Sequence, residues 1–480
     1  MSNLSPYRSL LWYSIPFFIR NFLPLISLPI LTAYISVNDF GLLALSIVYG
    51  TFLTGISNMG LFTVFERTFF QIKVSDRNDL LFTNVCFVAS ILSVSALFTW
   101  EFNSFIAETI FKNPLLSPFL FFAFLLSGIK TLNQYFFYFL KNAEEPKKYT
   151  IITVAENILS FGIALVFVII YEKGVLGYLT GQLIGVSIIF LLNMIILCFS
   201  GKRIIKLMLL KQQLKLSLPL TPRIFFGIIN GQFDRYMLGL LGSTGGVGLY
   251  DIAQKFANTT YSFMTMLQNV FAPQVYKRLF SEDEIYKKSI GAYLSPFFYL
   301  TTFFSMGVVL FSEEIIYLAT PEEYHESSLY VSILSFLFIF HFFGKQPQLL
   351  FAKKTVLISF LSFLSILLNI GFNIPLIYFF GVDGAVWATF MSGIISSGLY
   401  YYYGQKHLYI FYERKLFVTL LYFMLSCILI ITMIYSNQDY RIKIISKFTV
   451  LTGYIWMGFH FKYFEKIKFL VGRYLKRKKT

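Results

Sequence analysis

The chain has 480 residues, a formal charge of +16, 56% hydrophobic and 20% aromatic residues, and only 13% charged residues. That charged share is about half that of an ordinary soluble domain, which excludes a water-soluble enzyme or binding module. The basic surplus does not suggest a nucleic-acid site, because it is confined to short segments between apolar runs.

About 20 apolar residues span a bilayer. Runs of that kind lie at roughly 11–35, 41–65, 80–100, 117–140, 149–171, 175–199, 216–241, 247–272, 292–312, 328–344, 355–379, 382–403, 416–435 and 446–464. The predicted fold is therefore all-α, a polytopic membrane protein of about 14 transmembrane helices. Before the first run stands one charge, Arg8, with no small-residue cleavage site after the run, so this is expected to be a retained span rather than a signal peptide. Cys86, Cys198 and Cys427 all fall in apolar runs and show neither metal spacing nor a disulfide framework. No cofactor or metal site is expected.

The loops set an expected orientation. With the N-terminus in the cytosol, 30 of the 40 basic residues fall in inner segments or the C-terminal tail. The outer loops hold Lys112, Lys173, Arg441, Lys443 and Lys447. This bias places both termini in the cytoplasm, and the surplus charge marks orientation and contact with anionic lipids.

Internal repeats follow. SIPFFIR at 14–20 matches SLPLTPR at 217–223 in Ser, Pro and Arg. Phe40-Gly41-Leu42 matches Val247-Gly248-Leu249, Lys147 matches Lys354, and Gly174-Val175-Leu176-Gly177 matches Gly381-Val382-Asp383-Gly384, all at an offset of 207. Two six-helix, pseudo-symmetric lobes are predicted, related by an axis along the membrane normal. The expected division is a lobe over 1–200, a basic cytoplasmic linker over 201–215, a second lobe over 216–405, and two additional helices with a basic tail over 406–480.

Chemistry is expected where charges interrupt the spans, because an ionisable group in hydrocarbon costs about 2.5–3.5 kcal/mol and normally faces a bundle interior or wet cavity. Arg20 and Arg223 are repeat partners, each inside the first span of its lobe. Their structural alternative is snorkelling to the headgroups. Pro16, Pro24, Pro29, Pro219 and Pro222 break backbone hydrogen bonds in the same two spans, making them candidates for bending. Arg223, Gly227, Asn230 and Asp234 recur on one helical face. Arg20 and Arg223, with Lys130, Arg235 and Lys255, spread cations over the membrane depth and outline a lane for an anionic ligand, to which Asn230 adds a polar contact, or else a set of local ion pairs. Glu156, Asp234 and Asp251 are the acids inside spans, either counter-ions or binding groups for a driving cation. Asp251 and Lys255 are four apart, acid first, the favourable order for a pair. Gly177, Gly181 and Gly185, and likewise Gly227 and Gly231, have the spacing of close helix packing.

DRYMLGLLGSTGGVGLYDIAQKFAN at 234–258 and LLNIGFNIPLIYFFGVDGAVWATFMSG at 367–393 resemble signatures of bacterial polysaccharide flippases, the O-antigen and capsule repeat-unit exporters of the multidrug/oligosaccharidyl-lipid/polysaccharide superfamily. The resemblance implies two six-helix lobes around a central cavity, and two extra helices offering a groove for a lipid tail. It implies a substrate of the undecaprenyl-diphosphate-oligosaccharide type moved by alternating access in the bacterial cytoplasmic membrane. A polysaccharide polymerase and a chain-length regulator are the implied protein partners. Arg20 and Arg223 would offer a diphosphate bidentate hydrogen bonds. An ion-coupled multidrug antiporter of the same superfamily is the competing reading, but it calls for an acid in the first span, which holds Arg20 and none. A membrane enzyme that polymerises sugars would carry a large outer loop, and the loops around 100–117 and 312–327 are short.

Overall fold

The computed structural model describes residues 6–199, 201, 204–344 and 348–468. Every regular element among them is helical. Ten stretches are long and apolar enough to cross a membrane, and a helix stands at each of the expected spans. The chain divides into two compact units, Met1–Gly248 and Leu249–Thr480. This division follows packing. The repeat boundary near residue 200 follows sequence offset.

In the first unit, α1 (Pro6–Tyr34), α2 (Val37–Ser57), α3 (Leu61–Gln71), α4 (Arg77–Phe105), α5 (Ser117–Asn142), α6 (Pro146–Ile169), α7 (Gly174–Phe199), α8 (Leu207–Ser217) and α9 (Thr221–Leu241) precede α10 (Thr244–Leu279), which runs on past the boundary. Ser36 starts α2 by accepting the Asp39 amide at 3.2 Å, while its hydroxyl donates to the Asp39 carboxylate at 2.8 Å. The expected span over 41–65 is two helices. Met59 and Gly60 take positive φ of 46° and 69°, a turn that ends α2 and redirects the chain into α3.

Pro16 lacks an amide hydrogen and so frees the Trp12 carbonyl. The Thr150 hydroxyl of α6 donates to that oxygen at 2.6 Å, which lets α1 stay continuous and fastens it to α6. Pro219 and Pro222 behave differently from the expectation of a kinked seventh span. They lie in a 3-10 turn and in the first turn of α9, where a missing amide hydrogen costs nothing. Within and just beyond the expected linker, Leu207–Ser217 form α8. Lys206 Nζ meets Asp76 at 2.7 Å and Asp79 at 3.4 Å, and Asn84 donates to Gln213 at 3.0 Å, tying α8 to α4.

Glycines set the close helix contacts. A Cβ on Gly181 would fall 2.5 Å from the Ala164 Cα, and one on Gly185 would fall 2.4 Å from the Ser160 Cα, so α6 and α7 touch backbone to backbone. Gly227 and Gly231 do not match their expected packing role: a Cβ there meets nothing within 4 Å. Gly41 and Gly248, repeat partners, contact each other's helices reciprocally. A Cβ on Gly41 would sit 1.8 Å from the Thr244 carbonyl oxygen, and one on Gly248 2.3 Å from that of Val37. Residues 37 and 244 share the 207 offset, so the two close contacts are made by equivalent positions of the repeat.

The second unit contains α11 (Glu284–Lys288), α12 (Ile290–Leu310), α13 (Ser312–Ala319), α14 (Ser327–Phe338), α15 (His341–Gly344), α16 (Gln348–Phe351), α17 (Thr355–His407), α18 (Arg414–Tyr435) and α19 (Tyr440–His460). α17 is two spans folded at Gly381, whose φ is 57°. A Cβ on Gly384 would fall 1.9 Å from the Leu376 carbonyl oxygen, so the two arms meet there. The repeat partners Gly174 and Gly177 do the same between α6 and α7: Gly174 has φ 49°, and a Cβ on Gly177 would lie 3.0 Å from the Phe167 carbonyl oxygen. The core includes Phe298, Met306, Phe423, Cys427 and Tyr454, drawn from α12, α18 and α19. The two additional helices are thus part of this core.

Lys443 and Lys447, expected in an outer loop, lie in the first two turns of α19 and are buried. Lys443 Nζ reaches Glu313 at 2.6 Å, and Lys447 Nζ reaches Glu313 at 3.0 Å and Glu314 at 2.8 Å.

Candidate functional site

The first unit gathers three of the charges singled out above. Arg20, midway along α1 and exposed, lines a cavity of about 360 Å³ with Gln134, Tyr138 and Lys141 of α5 and Tyr149 and Thr153 of α6. Lys130, one turn before Gln134, lines a second cavity of about 330 Å³ with Thr51 and Thr54 of α2, Asn58 just past its end and Ser127 of α5. Gln134 belongs to both walls, so the two cavities share one amide that donates and accepts.

Lys130 has a specific partner across the wall. Lys130 Nζ donates to Gln182 Oε1 of α7 at 2.7 Å. Glu156 of α6 is 8% exposed and accepts from Asn133 Nδ2 at 2.6 Å, and the same amide reaches the Val186 carbonyl at 3.0 Å. Glu156 and Arg20 are both close enough to act on Lys130 electrostatically. Glu156 is thus a buried carboxyl within electrostatic range of both Lys130 and Arg20. Gln182 and Asn133 were not among the residues singled out from the sequence. Their signal is faint, because a lone amide in an apolar run is usually a packing residue.

The residues of the α9 stripe are not among those lining these cavities, although Ile228 of the same helix lines the second. Arg223 is the third residue of α9, exposed, and it has no ion-pair partner among the described residues. Asn230 is exposed on the same face, while Asp234 is buried. Arg235 bonds its own helix, with Nη1 donating to Gln232 Oε1 at 3.1 Å. In the second unit, Lys255 Nζ pairs with Asp251 at 2.7 Å, the local pair that the spacing anticipated.

A cavity of about 190 Å³ in the second unit is walled mainly by apolar side chains, including Phe340, Phe343, Ile394, and Phe417 and Leu420 of α18. A larger one of about 410 Å³ lies among α10, α15, α16 and both arms of α17.

Over residues 7–280 the chain matches the family described as polysaccharide biosynthesis protein. It belongs to that family. No curated protein matches the chain. Among solved structures, it is similar to the lipid II flippase MurJ in an inward-closed conformation, with 18% identity, 94% of this chain and 99% of that one covered, and a TM-score of 0.66. An inward-facing multidrug resistance MATE transporter of the MOP superfamily is 13% identical over 83% of this chain and 97% of its own, with a TM-score of 0.62. An outward-facing MATE structure gives 13% identity, 84% and 96% coverage, and a TM-score of 0.53. At these identities the likeness establishes the fold: this polysaccharide biosynthesis protein is a multi-pass membrane protein with the fold seen in the MurJ and MATE structures.

Proposed function

We propose that the chain flips an undecaprenyl-diphosphate-linked oligosaccharide, an O-antigen, capsule or exopolysaccharide repeat unit, from the inner to the outer leaflet of the bacterial cytoplasmic membrane by alternating access. The observation that carries this reading is the cationic wall of Arg20, Lys130 and Lys141, joined through Gln134 along two neighbouring cavities. A diphosphate needs fixed cations, and a guanidinium offers it two parallel donors. Glu156 offsets part of this positive charge, which lowers the cost of holding the cations at membrane depth. Arg223 and Asn230 offer further polar contacts from the exposed face of α9. The apolar cavity beside α18 suits part of the lipid tail. With both termini cytoplasmic, loading occurs on the side where the basic loops gather, and the product is delivered outside to a polymerase acting with a chain-length regulator. The transport cycle itself makes and breaks no covalent bond.

Arg20→Ala should leave membrane insertion intact and abolish glycan at the cell surface, measured per protein in the membrane, while the lipid-linked saccharide accumulates inside. Arg20→Lys should restore part of the export, since a point charge keeps attraction and loses the fork. The same two substitutions at Arg223 should rank in the same order. Wild-type export by both alanine variants would remove the cationic-site reading and leave the arginines as interfacial anchors.

A further inference from the structure

The cavity lined by Lys130 and Gln134, at about 330 Å³, falls in the size range of small-molecule sites, and three of its hydroxyls have a fixed hydrogen-bond polarity. Thr51 Oγ1 donates to the Ile47 carbonyl, Thr54 Oγ1 to the Gly50 carbonyl and Thr131 Oγ1 to the Ser127 carbonyl, each at 2.8 Å. A carbonyl only accepts, so each of these hydrogens is committed to its own helix, and the three oxygens offer a ligand lone pairs. Lys130 and Gln134 supply the complement. Lys130 Nζ spends one of its three N–H groups on Gln182, at 2.7 Å. Gln134 is half-buried and has no hydrogen-bond partner among the described residues. Ile47, Phe62, Leu126 and Ile228 form the apolar part of the wall.

This mixture discriminates among classes of ligand. A phosphate brings acceptors, and would meet the threonine oxygens lone pair to lone pair. An organic cation would meet the Lys130 ammonium. A prenyl chain would match the apolar residues but strand the N–H groups of Lys130 and Gln134 away from water, which is costly. A sugar hydroxyl donates to the threonine oxygens and accepts from Lys130 and Gln134, while the C–H face of a pyranose suits the apolar part of the wall. The neighbouring cavity has the opposite polarity, because the Arg20 guanidinium only donates.

We infer that the Lys130 cavity is the subsite for the first sugar of the lipid-linked substrate, a neutral pyranose whose hydroxyls bond Thr51, Thr131 and Gln134, while the diphosphate lies against Arg20 in the adjoining cavity. The inference rests on the flippase reading and adds to it a place where the glycan itself is recognised. That reading makes the first sugar the covalent neighbour of the diphosphate, and the wall shared at Gln134 sets the two cavities side by side.

Binding to purified protein is measured with two probes: undecaprenyl diphosphate without sugar, and the saccharide-bearing lipid extracted from cells lacking this gene. Wild-type protein should bind the saccharide-bearing lipid more tightly. Thr51→Val and Thr131→Val keep the side-chain shape and remove the oxygen. Each should reduce that preference by up to about tenfold, the scale of one net hydrogen bond, and leave binding of the bare lipid unchanged. Thr51→Ser and Thr131→Ser keep the hydroxyl and should retain most of the preference, which separates loss of the oxygen from loss of packing. Arg20→Ala should weaken both probes alike, so an Arg20 result at wild-type level tells against the diphosphate reading independently of this one. The subsite is overturned if wild-type protein shows no preference for the sugar, or if the valine variants that fold alter both probes equally or neither.

Discussion

At the scale of single residues, the decisive contrast is between charges with a partner built into the fold and charges without one. Glu313 is buried between Lys443 and Lys447, all three at most 5% exposed at the side chain. Removing one member strands a charge that cannot reach water. Glu313→Leu should therefore destabilise the protein by about 3–5 kcal/mol, read as a lower unfolding temperature in detergent. The double variant Glu313→Leu with Lys443→Met should recover much of that loss, because an apolar replacement of a buried pair is often neutral. No recovery would show that the surrounding helices, and not the charges, carry the effect. A second residue-scale case lies outside the spans. Lys206 holds the Asp76 carboxyl below its ordinary value, and Asp76 in turn holds the Lys206 ammonium above its own. The Asp76 contribution is thus complete above the unfolded value of about 3.9 and is lost as pH falls through the depressed folded value. The Lys206 contribution is complete below about 10.4 and is lost as pH rises through the raised one. Amide exchange of α8 should accelerate on acidification relative to an Asp76→Asn variant, which lacks the titrating group. Equal acceleration in both proteins would exclude Asp76 as the cause.

At the scale of elements, glycine has two meanings in this chain, and spacing alone does not separate them. Gly181 and Gly185 face the backbone of α6 at van der Waals contact, whereas Gly227 and Gly231 face open space. Gly181→Val should cost about 1–3 kcal/mol, because backbone cannot move aside as a flexible side chain would. Gly231→Ala should stabilise α9 by up to about 1 kcal/mol, the helix-propensity difference alone. Thermal unfolding of the two variants tests the pair, and equal destabilisation would mean that α9 packs as tightly as α7. The proline-bearing helices divide similarly. Pro16 is accommodated inside α1 because Thr150 takes the freed carbonyl, while Pro222 stands at a helix start where nothing is freed.

At the scale of the whole molecule, the basic loops set an expected orientation that labelling tests. Ser243, in the exposed turn before α10, and Gln212, exposed on α8, fall on opposite sides if the basic loops are cytoplasmic. Single cysteines there, in a background lacking Cys86, Cys198 and Cys427, should react unequally with an impermeant thiol reagent. Position 243 should be labelled from outside in intact cells with a permeable outer envelope, and position 212 only after lysis. Labelling of 212 alone, or of both, would reverse or break the span order.

The helix positions were legible in the sequence because a membrane-spanning helix satisfies its own backbone, so its extent is a local property of about 20 residues. The 207-residue repeat was legible for a related reason: turns such as Gly174 and Gly381 need a positive φ that few residues adopt, and the requirement leaves a mark at each copy. Asp251 and Lys255 were legible as a pair because both lie on one helix. What only the tertiary structure decided is which charges meet across helices. Lys130 with Gln182, Asn133 with Glu156, and Glu313 with Lys443 and Lys447 join residues 23 to 134 positions apart. No periodicity connects such residues, since their partners depend on which helix faces which. The turn at Gly60, the ordered α8 and the burial of Lys447 follow from the same cause. A polar side chain among apolar neighbours stays where another element supplies its hydrogen bonds, and that element is chosen by packing rather than by local sequence.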